Sequence, residues 1–247
     1  MKYLIRILCE LKSSKVYNNI CLNIPSRYNI DNLKNRFDNN SYELDEYNLV
    51  NNILDNQDIV LELGACLGYL SVVASKRANK VIAVEANPEL YEALEKTKQD
   101  NHTDNLFFVN TMIDKNDNET RVFYTYDLIV AGSHHRTDRE NPDNNNIWDQ
   151  NIVKYDIVTT SIETLENQYY IKFNTIIMDI EGGELDFLTK YKDYIGKNIK
   201  KIIVELHGRF MNIPDFNNQC LAILSDIGFC LSSTSNGTYY LTKMITL

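Results

Sequence analysis

Residues 58–87, DIVLELGACLGYLSVVASKRANKVIAVEAN, decide the fold. "DIVLELG" is a short apolar run that reads as a buried strand. "YLSVVASKRA" reads as a helix, and "KVIAVEAN" as a second strand. A strand, a helix and a strand joined by short connections predict parallel pairing with the helix crossing over one face of a sheet.

The alternation continues downstream. "PELYEALEKTKQDN" is expected as a helix with Pro88 in its first turn, and "NLFFVNTMI" as a strand. Beyond them "FNTIIMDI" and "IKKIIVELH" read as buried strands, and "ELDFLTKYKDYI" and "DFNNQCLAILSDIG" as helices. "FCLSSTSNGTYYLTKMI" is expected to be a hairpin turned at Asn236-Gly237. The expected class is α/β: a mostly parallel sheet with helices on both faces and a C-terminal hairpin. Residues 1–57 read as an irregular helical lead-in, with "LDEYNLVNNIL" at helical spacing. The Asn/Asp-rich "DKNDNETRVFYTY" suggests a hairpin or an excursion from the sheet edge. Residues 127–150 have no sustained period, and a loop of that length is a candidate acceptor-binding element. No repeat or compositional break divides the chain, so one domain over residues 1–247 is expected.

Composition narrows the function classes. With 44% hydrophobic and 24% charged residues the chain is ordinary for a soluble globular protein. Its net charge of -9 argues against a polyanion such as nucleic acid as the main partner, since no dense Lys/Arg run interrupts it. Cys9, Cys21, Cys66, Cys220 and Cys230 form no CxxC pair, which suggests free thiols in a reducing compartment and a cytoplasmic location. The first residues, broken by Arg6 and Glu10, are too short an apolar run for a signal peptide or a membrane span. Nothing in the chain speaks to oligomeric state.

The functional candidates lie at strand ends. Gly64 and Gly68 sit between the first strand and its helix, where glycine lets backbone approach a ligand and the helix N-terminus offers free N–H groups. The spacing is G-x-x-x-G, so the dinucleotide fingerprint is absent and a plain tight turn is the alternative. Glu85 ends the second strand, where an acid in a doubly wound sheet takes ribose hydroxyls. A nucleoside ligand without a bound pyrophosphate fits the pair, and S-adenosylmethionine is such a ligand. Asp179 and Glu205 end two later strands, and His207 follows on the side of Glu205 if the strand continues. Methyl transfer to a hydroxyl gains from a base, which a carboxylate or histidine supplies. Two acids on adjacent strands, Asp179 and Glu205, also suit Mg²⁺. Glu181 could belong to the same group, whereas Glu184 reads as a first-turn acid complementing the helix dipole. His134 and His135 lie in the long polar loop, with His135 a candidate base and solvent exposure the bland alternative. Trp148 either anchors that loop or stacks on a ligand.

These residues resemble the FkbM-type S-adenosylmethionine-dependent methyltransferases. The likeness spans roughly residues 44–207, from "DEYNLVNNILDNQDIVLELGACLGYLS" through "SIETLENQYYIKFNTIIMDIEGGELDFL" to "IIVELH", and the Asp-x-Glu-Gly-x-Glu segment is its specific part. The resemblance implies a class I methyltransferase (Rossmann-like) fold with a seven-stranded sheet. It also implies bound S-adenosylmethionine and methyl transfer, usually to an oxygen and often on a sugar or glycosylated metabolite; the alternatives are methylation of another small molecule or a nucleic acid, or a cofactor-binding module without activity. By position it implies cofactor contacts at Glu62, Gly64, Ala65, Gly68, Glu85, Ala86 and Asn110. Asp179 would face the transferred methyl, with Glu205 and His207 on the acceptor or metal side. Two places depart from the family. Glu62 and Cys66 stand where Asp and Asn are usual, and Ile177 stands where the family commonly carries a lysine.

Overall fold

The computed structural model describes residues 13–26, 28, 36–39, 41–126, 132–133, 152–208 and 211–244. Its first element is a hairpin of β1 (Ser13–Tyr17) and β2 (Ile20–Ile24), paired antiparallel. A helical lead-in was expected here, and residues 13–24 depart from it for a local reason. Asn18 and Asn19 both take positive φ, 46° and 60°, as the two-residue turn of a twisted hairpin requires, and asparagine tolerates that region. Ile20, Leu22 and Ile24 then point into the core at a period of two. The hairpin is tied to the domain by the Asn23 N–H, which donates to Thr97 Oγ1 at 2.9 Å. The helix expected at "LDEYNLVNNIL" forms as α1 (Leu44–Ile53).

The sequence-predicted alternation follows. β3 (Ile59–Leu63), α2 (Tyr69–Ser75), β4 (Lys80–Glu85), α3 (Tyr91–Asp100) and β5 (Leu106–Asn110) wind outward in one direction. The chain next makes an edge excursion of β6 (Met112–Ile113), β7 (Thr120–Tyr126), β8 (Gly132–Ser133) and β9 (Ile152–Thr160), in which β7 pairs antiparallel with both β8 and β9. It returns through α4 (Ile162–Tyr169), whose N-cap Ser161 accepts from the Thr164 N–H, to β10 (Thr175–Met178) beside β3. α5 (Glu184–Asn198), β11 (Lys201–Glu205), α6 (Phe216–Asp226), β12 (Phe229–Ser235) and β13 (Thr238–Lys243) complete the described chain.

The main sheet has seven strands in the order β12-β13-β11-β10-β3-β4-β5. β11, β10, β3, β4 and β5 are parallel, while β13 runs antiparallel to both β11 and β12. The C-terminal hairpin turns at Asn236 and Gly237, with φ of 46° and 96°. The central strands β3, β4, β10 and β11 are buried on both faces. Val60, Val81, Ile177 and Ile203 join the cluster on the side of α1, α2 and the N-terminal hairpin. Leu61, Ile82, Ile176 and Val204 join the cluster containing residues of α5 and α6. Ile177 is 4% exposed and packs in the first cluster.

The winding direction reverses between β3 and β10, and this switch point is where ligand crevices form in open α/β sheets.

Candidate active site

Backbone contact builds the crevice before any side chain enters it. Gly64 has φ of +86°, and a Cβ there would stand 1.8 Å from the Asp179 carbonyl oxygen. Glycine is therefore required twice over, for its dihedral and for the approach of the β3 and β10 ends. The Asp179 N–H donates to the Leu63 carbonyl at 3.0 Å, which locks the two strand ends side by side. Gly68 has a different neighbourhood. A Cβ there would meet Leu94 Cδ2 at 2.9 Å and Phe108 Cζ at 3.1 Å, so its small size lets α2 begin against α3 and β5.

Around this loop the carboxylates at the β3 and β4 ends are held in place. Glu85 Oε2 accepts from the Cys66 N–H at 2.8 Å and Glu85 Oε1 from the Asn87 N–H at 2.7 Å. Burial pushes its carboxyl up to about 7, against the lowering effect of those backbone hydrogen bonds. Asn110, paired across the sheet with Glu85, donates its side-chain amide to the carbonyls of Glu85 and Ala86 at 2.8 and 3.2 Å. Glu62 is 2% exposed, and its Oε2 is buried without a hydrogen-bond partner among the described residues. Burial and the charges of Glu43 and Glu85 push it up to about 8, despite the Ser71 hydroxyl. Ala65 is buried in the same turn, its N–H donating to the Val84 carbonyl at 3.1 Å.

At the ends of β10 and β11 a histidine meets four acids. His207 is 4% exposed. Its Nδ1 lies 2.9 Å from Oε1 of Glu184, which is itself fully buried and also accepts from the Gly182 N–H at 3.1 Å. Its Nε2 faces Asp179 Oδ1 at 3.5 Å, Glu205 Oε1 at 3.7 Å and Glu181 Oε2 at 3.8 Å. Burial pulls the imidazole down, but the Glu184 hydrogen bond and the charges of Asp179, Glu184 and Glu181 prevail and leave it raised to about 9. Burial pushes the Asp179 carboxyl well above its ordinary range. His207 opposes that rise, and the charges of Glu181, Glu205 and Glu43 add to it.

Asp179, Glu205 and His207, expected from sequence as site residues, therefore converge, and Glu181 joins them. Glu184 does occupy the first turn of α5, as expected of a helix-start acid, but it is buried and orients His207. Glu43 was overlooked in the sequence because it precedes the apolar period of α1. It has a left-handed φ of 47°, uncommon for a non-glycine residue. Burial, opposed by a Tyr42 hydrogen bond and reinforced by the charges of Glu46 and Glu205, pushes its carboxyl up to about 7. The start of α1 reaches the crevice because Asp45 accepts from Ser235 Oγ at 2.9 Å and Glu46 accepts from the Thr238 hydroxyl, beside the end of β11. His134, His135, Trp148 and nearly all of the 127–150 loop lie outside the described residues.

The methyltransferase FkbM domain matches residues 62–231, more than half of the chain. The chain belongs to the FkbM methyltransferase family. The strand order with its antiparallel β13 is the class I methyltransferase arrangement. The fold is shared with a protein from Streptococcus mutans assigned as a SAM-dependent methyltransferase, at a TM-score of 0.53 and 12% identity. That match covers 94% of this chain and 55% of the other. TYW2 from M. jannaschii, solved in complex with AdoMet, aligns at a TM-score of 0.48 and 13% identity over 94% of this chain and 84% of that one. A probable ribosomal RNA small-subunit methyltransferase A from Thermococcus onnurineus is 51% identical over 43 residues, 17% of this chain and 16% of that protein. The chain thus spans about a sixth of the length of this curated relative.

The crevice suits the cofactor of this family. Glu85 stands at the strand end where ribose hydroxyls are received. Glu62 presents a buried carboxylate oxygen with no hydrogen-bond partner among the described residues, and the surrounding acids match a ligand carrying a sulfonium and an ammonium. Among the described residues no helix is long and apolar enough to cross a membrane.

Proposed function

We propose that this chain is an S-adenosylmethionine-dependent O-methyltransferase acting on a hydroxyl of a sugar or glycosylated metabolite. The observation that carries the reading is the convergence of Asp179, Glu205 and His207 beside the Gly64 loop, at the switch point of the sheet. S-adenosylmethionine, when bound, supplies an electrophilic methyl group on a sulfonium. Glu85 and Asn110 would hold its nucleoside end, and Glu62 with the Gly64–Gly68 turn its methionine end. Asp179, at the end of β10 and facing His207, receives the acceptor hydroxyl's proton. His207 and Glu205 orient that hydroxyl by hydrogen bonding.

Charge supports this acceptor class. Glu43, Asp179, Glu181, Glu184 and Glu205 make the crevice floor acidic, and the whole chain carries -9. A phosphate backbone would be repelled, whereas neutral polyols offer hydroxyl donors that carboxylates accept.

A turnover screen with sugar nucleotides, free glycans and structured RNA, read as S-adenosylhomocysteine release, tests the proposal. Turnover with a carbohydrate, abolished in Asp179→Asn while calorimetry shows unchanged cofactor binding, is the expected result. Turnover confined to RNA, or full activity in Asp179→Asn, overturns it.

A further inference from the structure

The ends of β10 and β11 hold more than an acid–base pair. His207 Nε2 stands 3.5, 3.7 and 3.8 Å from carboxylate oxygens of Asp179, Glu205 and Glu181, three nearly equal distances. Donor atoms that share a metal ion at about 2.1 Å lie about 3.0 to 3.4 Å apart, so the imidazole nitrogen stands a few tenths of an ångström farther from each carboxylate oxygen than a shared ion would hold it. One ligand atom each from Asp179, Glu205 and His207 already lie within 4.8 Å of one another.

Two further features point to a ligand. Asp179 Oδ1 is buried with no hydrogen-bond partner among the described residues, on the side facing His207. Glu184, fully buried, fixes the other imidazole nitrogen at 2.9 Å, as a carboxylate behind a metal-bound histidine does.

We propose that Asp179, Glu205 and His207 bind a divalent first-row transition ion of the Mn²⁺ class, leaving open positions for acceptor oxygen, with Glu184 as the positioning residue behind His207. A nitrogen donor among hard oxygens favours Mn²⁺, Fe²⁺ or Co²⁺ over Mg²⁺, which prefers oxygen alone. The role of the open positions rests on the proposed hydroxyl acceptor, while ion binding does not, so the two fail separately.

The test uses the full chain, stripped with EDTA and without cofactor, titrated with Mn²⁺ under electron paramagnetic resonance and with Mg²⁺ by competition. One Mn²⁺ per chain is expected, bound at least tenfold tighter than Mg²⁺. Affinity should fall 10- to 100-fold in Glu205→Gln and in Glu184→Gln, with each variant's circular dichroism matching wild type. His207→Gln should lose the ion; if it fails to fold, the two glutamate variants decide. No stoichiometric Mn²⁺ binding at millimolar ion, equal affinity for Mg²⁺, or affinity unchanged in Glu205→Gln overturns the proposal.

Discussion

Glu184 Oε1 lies 2.9 Å from His207 Nδ1 inside the domain, with the carboxylate side chain wholly buried. This pair joins the start of α5 to the end of β11 and sets which face of the imidazole looks into the crevice. Glu184→Gln removes the largest of the interactions that raise His207 to about 9 and should lower its titration toward the ordinary histidine range, read by NMR of the imidazole. A folded pKa above the unfolded 6.5 means that this stabilisation is complete below pH 6.5 and is lost as pH rises through 9. Denaturant melts should therefore show a wild-type advantage over Glu184→Gln at pH 6 that shrinks toward pH 10.

Glu85 sets a second pH dependence, on ligand binding. Its carboxyl is pushed up to about 7, so much of it is protonated at pH 6 and most is ionised at pH 8. Ribose hydroxyls bond more strongly to the charged form. Methylthioadenosine carries the ribose without the amino acid and so isolates this contact. Its affinity should rise roughly tenfold between pH 6 and pH 8, and in Glu85→Gln it should be weaker and flat over the same range.

Much of this architecture was legible in the chain. The βαβ alternation, the Asn236-Gly237 turn and the convergence of Asp179, Glu205 and His207 follow from apolar runs, turn chemistry and strand-end placement. The misses have physical causes. The N-terminal hairpin is local in origin, but Asn18-Asn19 is one asparagine pair among many, and the period of two in Ile20, Leu22 and Ile24 is short. Glu184 sits where a helix-dipole acid belongs, and only the return of β11 beside β10 buries it against His207. Glu43 enters the crevice through the contact of α1 with the distant C-terminal hairpin, which no local pattern encodes. Its residue class at a left-handed position is the one signal it leaves.

Gly64 and Gly237 give a matched test of crowding. Both have strongly positive φ, +86° and +96°, so alanine carries similar dihedral strain at each, about 1 kcal/mol. A Cβ at Gly237 meets nothing within 4 Å, whereas at Gly64 it collides with the Asp179 carbonyl. Gly237→Ala should therefore lower the melting temperature by only a few degrees and leave cofactor binding intact. Gly64→Ala should cost more than about 3 kcal/mol and abolish cofactor binding, because β3 and β10 must part at the crevice. Equal melting temperatures for the two variants would show that the strand ends yield freely.

Glu62 shows what the crevice costs the fold. Its carboxyl is 2% exposed, has one oxygen without a partner among the described residues and is pushed up to about 8. Since this exceeds the unfolded carboxylate value near 4.5, the folded state binds the proton more tightly, and stability falls as pH rises from 4.5 through 8. The full penalty is on the order of 5 kcal/mol above pH 8 and vanishes below pH 4.5. Glu62→Gln keeps the shape without the titration. It should melt close to wild type at pH 5 and several degrees higher at pH 9, while binding S-adenosylmethionine more weakly at both. A variant no more stable than wild type at pH 9 would show that the neighbouring charges, not this buried carboxylate, control the alkaline loss of stability. The combination of gained stability and lost affinity is what distinguishes an acid retained for a cationic ligand from one retained for packing.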